Sequence, residues 1–242
     1  MEEIKVKAII INSTDYKDKH KLVNAFSLEF GKISAILKNC KNMNSKLKFC
    51  YSPFCFLELE LFKLNDMFVI KNATIIDDFF SLSENYDNFI SASAMLEIVN
   101  KCFKQNEINN ILFISLLKSF KALVYNGTDS KVALAKFLMG TTKITGFKFN
   151  FNACSICSLP FVNCVYLNLD TGELECEACK QNYSIKIENK TYRLLKQLSN
   201  TEIDNLKIID ESDEELLKVI KILALNLESR LNLKFNFKKY YI

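Results

Sequence analysis

Two Cys-x2-Cys pairs, Cys154–Cys157 and Cys176–Cys179, constrain this chain more than any other feature, and eighteen residues separate them. Two thiolates three residues apart can bend over one tetrahedral ion, and a hairpin between the pairs can bring four thiolates together. The intervening residues suit such a hairpin, with apolar residues at 165–169, Asp-Thr-Gly at 170–172 and a second short strand at 173–175. The spacing predicts one structural zinc ion per chain.

The same cysteines leave two other hypotheses open. Four thiolates complete the zinc shell and leave no position for water, so a catalytic zinc is disfavoured. The four cysteines could instead be reduced and free of metal, or Cys154 and Cys157 could form a redox pair. Neither pair follows a strand and opens a helix, as thioredoxin-like motifs do. Cys164 is a further thiol between the two pairs, but its spacing fits neither pair.

The apolar segments predict a cytoplasmic protein without a membrane contact. No apolar run reaches the roughly 18 residues needed to span a bilayer, and the N-terminus does not match a signal peptide. A reducing compartment disfavours disulfides, so metal binding or burial has to account for the nine cysteines. Cys40, Cys50, Cys55 and Cys102 are predicted to be small buried residues.

Hydrophobic periodicity changes near residue 80 and predicts an α+β architecture. Residues 4–80 contain five short, mainly alternating segments, which favour a small closed or nearly closed β-barrel. From Ser81 onward, apolar residues recur at helical spacing, with Thr128 or Asp129 placed to cap one helix and Ser212 to begin another. We therefore predict a barrel domain at 1–80 and a helical domain at 81–242, with the cysteine insert at about 150–185.

One basic segment stands out from the mild overall charge of +4. No carboxylate occurs between Glu29 and Glu58, whereas this interval contains Lys32, Lys38, Lys41, Lys46 and Lys48. Such clusters bind phosphate backbones through counterion release. Thirty of the thirty-two positive residues are lysine, a bias that can reflect base composition, so an ordinary solvated loop remains the alternative.

Aromatic residues follow the basic segment at Phe49, Tyr51, Phe54 and Phe56. On a barrel face, exposed rings can stack on unpaired bases. In a chain with twenty phenylalanines, however, burial in the core is the better prediction for these four residues.

The sequence contains no recognisable catalytic constellation. The only histidine, His20, lies between lysines, and the chain has no phosphate-binding glycine motif or nucleophile elbow. We predict a binding protein without a small-molecule substrate. The two main hypotheses are a nucleic-acid-binding protein and a zinc-stabilised adaptor that binds other proteins.

Several segments together resemble the RecO family. They include Asp15-Tyr16, Glu29-Phe30-Gly31-Lys32, Ser52-Pro53-Phe54 and Gly146-Phe147 leading into Cys154, together with Lys38 through Ser45-Lys46. The resemblance implies an OB-fold barrel followed by a helical domain with a zinc-binding insert. The chain departs from the family pattern at Ser158 and Lys180, where glycine is common, and in the C-terminal residues 233–242.

The resemblance also implies a function. RecO proteins are non-enzymatic recombination mediators of the RecFOR pathway that bind single- and double-stranded DNA and anneal complementary strands. They work with RecR and single-stranded-DNA-binding protein to load RecA, in the cytoplasm and on the nucleoid. Lys38, Lys41 and Lys46 align with family positions implicated in DNA contact.

Overall fold

The computed structural model describes residues 3–42, 46–64, 67–162 and 164–241. Within these residues the chain forms two compact units. One comprises Met1–Ala92 and Leu96–Ile114, and the other comprises Ser93–Met95 and Ser115–Ile242. The predicted domain boundary at residue 80 stays a prediction.

A five-stranded closed barrel forms most of the first unit. Its strands are β1 (Glu3–Tyr16), β2 (His20–Ser27), β3 (Gly31–Leu37), β4 (Phe56–Leu64) and β5 (Met67–Asp77). They are ordered β1-β2-β3-β5-β4, and β4 pairs with β1 to close the barrel. Only the β3–β5 pairing among these described strands is parallel. This arrangement confirms the predicted OB-like barrel.

Alternation along the strands explains why the barrel closes around an apolar interior. On β4, Leu57, Leu59 and Leu61 are fully buried, whereas Glu58 and Glu60 alternate with them and lie near Lys5 on the outside. Successive strand residues point to opposite faces, so one face of each strand can fill the barrel. The interior consists mainly of small and branched apolar side chains.

The first unit continues past the barrel into α1 (Tyr86–Cys102) and the start of α2 (Asn110–Val124). Phe113 of α2 packs against Phe26 and Phe56, with ring centroids 5.6 and 5.9 Å apart. The connection between the helices also contacts the barrel, because the Asn106 N–H donates to the Lys32 carbonyl at 2.9 Å. These contacts join the helical segment to the barrel in one core.

The second unit contains α3 (Ser130–Ile144), α4 (Asn189–Asn200) and α5 (Asp213–Leu231), and α3 packs against both others. Asp129 caps α3 by accepting from the Lys131 and Val132 N–H groups, as its sequence position predicts. Short 3-10 helices occupy Ile203–Ile208 and Phe237–Tyr240. In the part of the chain that the structure describes, none of the helices has the length and apolar character needed to cross a membrane.

The insert folds as a small antiparallel sheet between α3 and α4 in the chain. Its strands are β6 (Val165–Asn168), β7 (Leu174–Cys176) and β8 (Ser184–Ile187), in the order β7-β6-β8. The predicted hairpin is therefore confirmed as β6 and β7. The third strand, β8, was not predicted, because its four residues are too short to show a periodic pattern.

Candidate metal centre and nucleic-acid surface

The four predicted cysteines converge at one end of the insert. The sulfurs of Cys154, Cys157, Cys176 and Cys179 all lie within 4.8 Å of one another. Cys157 Sγ is 3.8 Å from Cys176 Sγ. In a tetrahedral site with Zn–S bonds of about 2.3 Å, neighbouring sulfurs are about 3.8 Å apart. The residues therefore fit a four-thiolate zinc ion, whereas Cys164 is outside this group among the described residues.

Local backbone geometry brings the two cysteine pairs together. The Ser155 N–H donates to the Leu174 carbonyl at 3.0 Å, which joins the first turn to β7. The Cys176 N–H donates to Cys154 Sγ at 3.3 Å. Ser158 adopts a left-handed conformation with φ of 60°, so serine occupies the turn position at which the family commonly has glycine. The turn that contains Cys154 and Cys157 forms with serine at this position, at the cost of some backbone strain.

Hydrogen bonds at the sulfurs shift the pKa values of two of the four thiols in opposite directions. Burial opposes ionisation of Cys154, but the N–H groups of Cys157, Cys176 and Ile156 outweigh it and lower the pKa of this thiol to about 6. Hydrogen bonds to the sulfurs of Cys176 and Cys157 raise the pKa of Cys179 to about 12. A zinc ion would displace the thiol protons and hold the four sulfurs as thiolates, with a structural role.

A buried carboxylate supports the insert beside the cysteines. Glu175 is 1% exposed and lies one residue before Cys176. It accepts hydrogen bonds from Asn168 Nδ2 at 2.7 Å, from Ser184 Oγ at 2.6 Å and from the Gln181 N–H at 3.2 Å. These donors come from β6, β8 and the turn before β8, so one side chain links all three strands.

Replacing Glu175 with alanine is expected to destabilise the second unit by about 1–3 kcal/mol, because the buried Asn168 amide and two partly buried donors lose the carboxylate as an acceptor. Glu173→Ala removes the same charge from an exposed neighbouring position and should change stability by less than about 0.5 kcal/mol. Urea unfolding of both variants measures the difference. Equal midpoints for the two variants would contradict the structural role of Glu175.

The hairpin turn of the insert rests on the C-terminal part of α5. Ser229 Oγ donates to the Leu169 carbonyl at 2.6 Å, and the Arg230 guanidinium donates to the Asp170 carbonyl. The same guanidinium lies 4.8 Å from the centre of the Phe147 ring. The turn therefore attaches directly to α5.

A second candidate site lies at one end of the barrel, where three segments converge. The Asn39 N–H after β3 donates to His20 Nδ1 at 2.9 Å. Asp15 contacts Lys21 on β2 and Lys41 after β3. Lys21 Nζ also lies 5.0 Å from the ring centre of Tyr51, in the 3-10 helix Lys48–Tyr51. We call the lysines of these segments the basic rim: Lys17, Lys19, Lys21, Lys38, Lys41, Lys46 and Lys48.

The basic rim includes four of the five lysines predicted to bind nucleic acid. Lys38, Lys41, Lys46 and Lys48 are all exposed. Residues 43–45, in the middle of the predicted loop and within the segment that resembles the RecO family, lie outside the described residues. Lys17, Lys19 and Lys21 were not predicted, because the β1–β2 hairpin is separated from the basic segment in sequence and reaches it only through strand pairing.

Lys32 requires a correction to the sequence-based hypothesis. It is only 8% exposed, and its ammonium donates to the carbonyl and the side-chain oxygen of Asn100. Burial lowers the pKa of Lys32, and the nearby Glu107 carboxylate offsets part of that effect. Lys32 therefore joins the barrel to α1 and does not offer its charge to a phosphate.

The aromatic residues after the basic segment belong largely to the core. Phe54 and Phe56 are buried, and Phe54 packs edge-on against Phe89 at 5.7 Å. Phe49 and Tyr51 pack against the barrel interior while remaining partly exposed. The prediction that these rings are core residues is confirmed for Phe54 and Phe56.

Two models of one protein family match almost the whole chain. A family model described as the N terminal part of Recombination protein O matches residues 1–79, and its C terminal counterpart matches residues 83–238. The chain belongs to the RecO family. The DNA repair protein RecO of Clostridium novyi (strain NT) is 32% identical over 219 residues, which cover 90% of this chain and 86% of that protein.

Other RecO proteins agree over similar lengths. The DNA repair protein RecO of Caldicellulosiruptor bescii is 29% identical over 86% of this chain and 85% of its own length. That of Clostridium kluyveri is 30% identical over 90% of this chain and 86% of its own length. Both the barrel and the helical unit with its insert therefore fall within the RecO match.

Proposed function

We propose that this RecO-family chain is a DNA-binding recombination mediator without catalytic activity of its own. It binds single- and double-stranded DNA through the basic rim, anneals complementary strands and helps to load RecA onto DNA coated by single-stranded-DNA-binding protein. Family membership supports this role. The observation that carries it is the meeting of three lysine-bearing segments at one end of the barrel.

The chemistry of the basic rim suits a backbone-binding role. Its exposed ammonium groups are mobile point charges, so they neutralise phosphates without the bidentate geometry that arginine provides. Neutralised strands repel each other less, which allows complementary strands to approach and pair. The proposed contacts are therefore largely independent of base sequence and sensitive to salt.

The remaining elements take supporting roles in this proposal. One structural zinc ion per chain, held by Cys154, Cys157, Cys176 and Cys179, stabilises the insert of the helical domain at 81–242. That domain binds the protein partners, RecR and single-stranded-DNA-binding protein, whereas the barrel domain at 1–80 binds DNA. The proposed setting is the cytoplasm, on nucleoid DNA.

A triple variant tests the DNA site. Replacing Lys38, Lys41 and Lys46 with alanine is expected to weaken binding of a labelled single-stranded oligonucleotide by roughly 10- to 100-fold at low salt, because three phosphate contacts are lost. A control variant removes three exposed helical lysines, Lys121, Lys196 and Lys221, and should bind within about two-fold of the wild type. Both are measured by fluorescence anisotropy.

Two outcomes would contradict the proposal. Equal weakening in both triple variants would indicate a dependence on net charge and not on the basic rim. If the wild-type protein does not bind DNA even at low salt, the lysines are an ordinary solvated face, and the chain acts as a zinc-stabilised protein adaptor.

A further inference from the structure

The Asp15 carboxylate contacts two lysines of the basic rim. Its two oxygens contact different ammonium groups: Oδ1 lies 3.0 Å from Lys21 Nζ and Oδ2 lies 2.9 Å from Lys41 Nζ. These hydrogen bonds, led by that of Lys41, hold the pKa of Asp15 below its usual range. The carboxylate is therefore ionised under physiological conditions and occupies two of the lysines proposed to bind phosphate.

Asp15 presents these contacts at the surface. Its side chain is 67% exposed, and those of Lys21 and Lys41 are 21% and 33% exposed. Exposed ion pairs of this kind are weak and exchange readily with solvent ions. A DNA phosphate offers the same two ammonium groups a similar pair of anionic oxygens, so it can replace the carboxylate without a change in the barrel.

We propose that Asp15 is a built-in competitor of DNA phosphate that limits how tightly the basic rim binds nucleic acid. The inference rests on the proposed DNA-binding function and adds a regulatory residue to that site. In the free protein, Asp15 pairs with both Lys21 and Lys41 and cancels one of their two positive charges. On binding, a phosphate displaces the carboxylate, and the displaced charge then repels the DNA backbone and favours release.

Other contacts hold the segment after β3 independently of Asp15. The His20–Asn39 hydrogen bond fixes its first residues, and the adjacent Cys40 is fully buried. On the hairpin side, Asp15 and Lys21 are directly paired residues of β1 and β2, so the backbone ladder positions Lys21. Removing the carboxylate therefore frees the two ammonium groups without releasing the segments that carry them.

The test compares Asp15→Asn with a variant of equal charge change. Glu3→Gln breaks a similar exposed ion pair, with Lys71, elsewhere on the barrel. Asp15→Asn is expected to tighten binding of a labelled oligothymidylate by about 3- to 10-fold, because a phosphate no longer has to displace a carboxylate from Lys21 and Lys41. Glu3→Gln should change the affinity by less than about two-fold.

A second background identifies the cause of any gain. In a Lys21→Ala/Lys41→Ala protein, Asp15→Asn has no partner to release, so the proposal predicts no more gain than the general charge effect of Glu3→Gln. The proposal is overturned if Asp15→Asn increases DNA affinity as much in the Lys21→Ala/Lys41→Ala protein as in the wild type. It is also overturned if Asp15→Asn and Glu3→Gln increase the affinity of the wild-type protein equally. Weaker binding by Asp15→Asn also overturns it and would make Asp15 a positioning residue.

These outcomes separate the inference from the proposed function. If the wild type binds DNA and Asp15→Asn does not bind more tightly, the inference fails while the DNA-binding function stands. If the wild type does not bind and Asp15→Asn does, Asp15 inhibits binding as proposed. If neither protein binds DNA at low salt, the inference and the function both fail.

Discussion

Replacing Cys154 with serine is expected to abolish stoichiometric zinc binding and to unfold the insert. The other three sulfurs cannot complete a tetrahedral thiolate shell, and the Cys176 N–H loses its sulfur acceptor. Structural zinc contributes roughly 10–16 kcal/mol of apparent binding free energy in small peptides, far more than a three-stranded sheet of this size gains from packing. The insert should therefore become sensitive to proteases between residues 154 and 187.

Cys164→Ser is the matched control, because it removes a thiol of the same insert that lies outside the four-sulfur group. Zinc content by mass spectrometry and limited proteolysis distinguish the two variants. Cys164→Ser should retain one zinc per chain and a protected insert. A full zinc equivalent in Cys154→Ser, or equal zinc loss in both variants, would contradict the ligand assignment.

Gly31→Ala is expected to lower the free energy of unfolding of the first unit by about 2–5 kcal/mol. Gly31 has a φ of +66°, and a methyl group there would lie 2.0 Å from the Glu107 carbonyl oxygen. The obstacle is backbone, so the connection between α1 and α2 would have to move and the Asn106–Lys32 hydrogen bond would be lost. Overpacking adds to the cost of a left-handed conformation for a residue with a side chain.

Gly127→Ala separates these two costs. Gly127 has a similar φ of +58°, but an added methyl group there meets no atom within 4 Å. It should cost only about 1–2 kcal/mol, from the backbone conformation alone. Urea unfolding of both variants gives the comparison. If Gly31→Ala lowers the free energy of unfolding no more than Gly127→Ala does, the connection between α1 and α2 does not exclude a side chain at residue 31.

The sequence predicts those features that depend on local pattern. Alternating leucines at 57, 59 and 61 are sufficient to predict a barrel strand, and Asp129 is placed to cap α3. The Cys-x2-Cys pairs predict which four sulfurs meet, because each pair shares a turn and the hairpin between them has a recognisable turn sequence.

Features that depend on tertiary contacts were not predictable in the same way. Lys32 lies in a basic segment, and only its contact with Asn100, 68 residues away, makes it a buried structural residue. The same segment lacks carboxylates in sequence, yet strand pairing and the fold of residues 38–42 bring Asp15 to Lys41. Charge counted along the chain therefore overestimated the charge available at the site.

The salt dependence of DNA binding tests the central claim most directly. The wild type and the Lys38, Lys41, Lys46 triple alanine variant are titrated with a labelled single-stranded oligonucleotide from about 50 to about 200 mM salt. We predict a linear fall of log affinity with log salt in the wild type, and a slope smaller by about 2 in the variant, since each lost phosphate contact removes about 0.7. Equal slopes for the two proteins, or no salt dependence in the wild type, would contradict a DNA site at the basic rim.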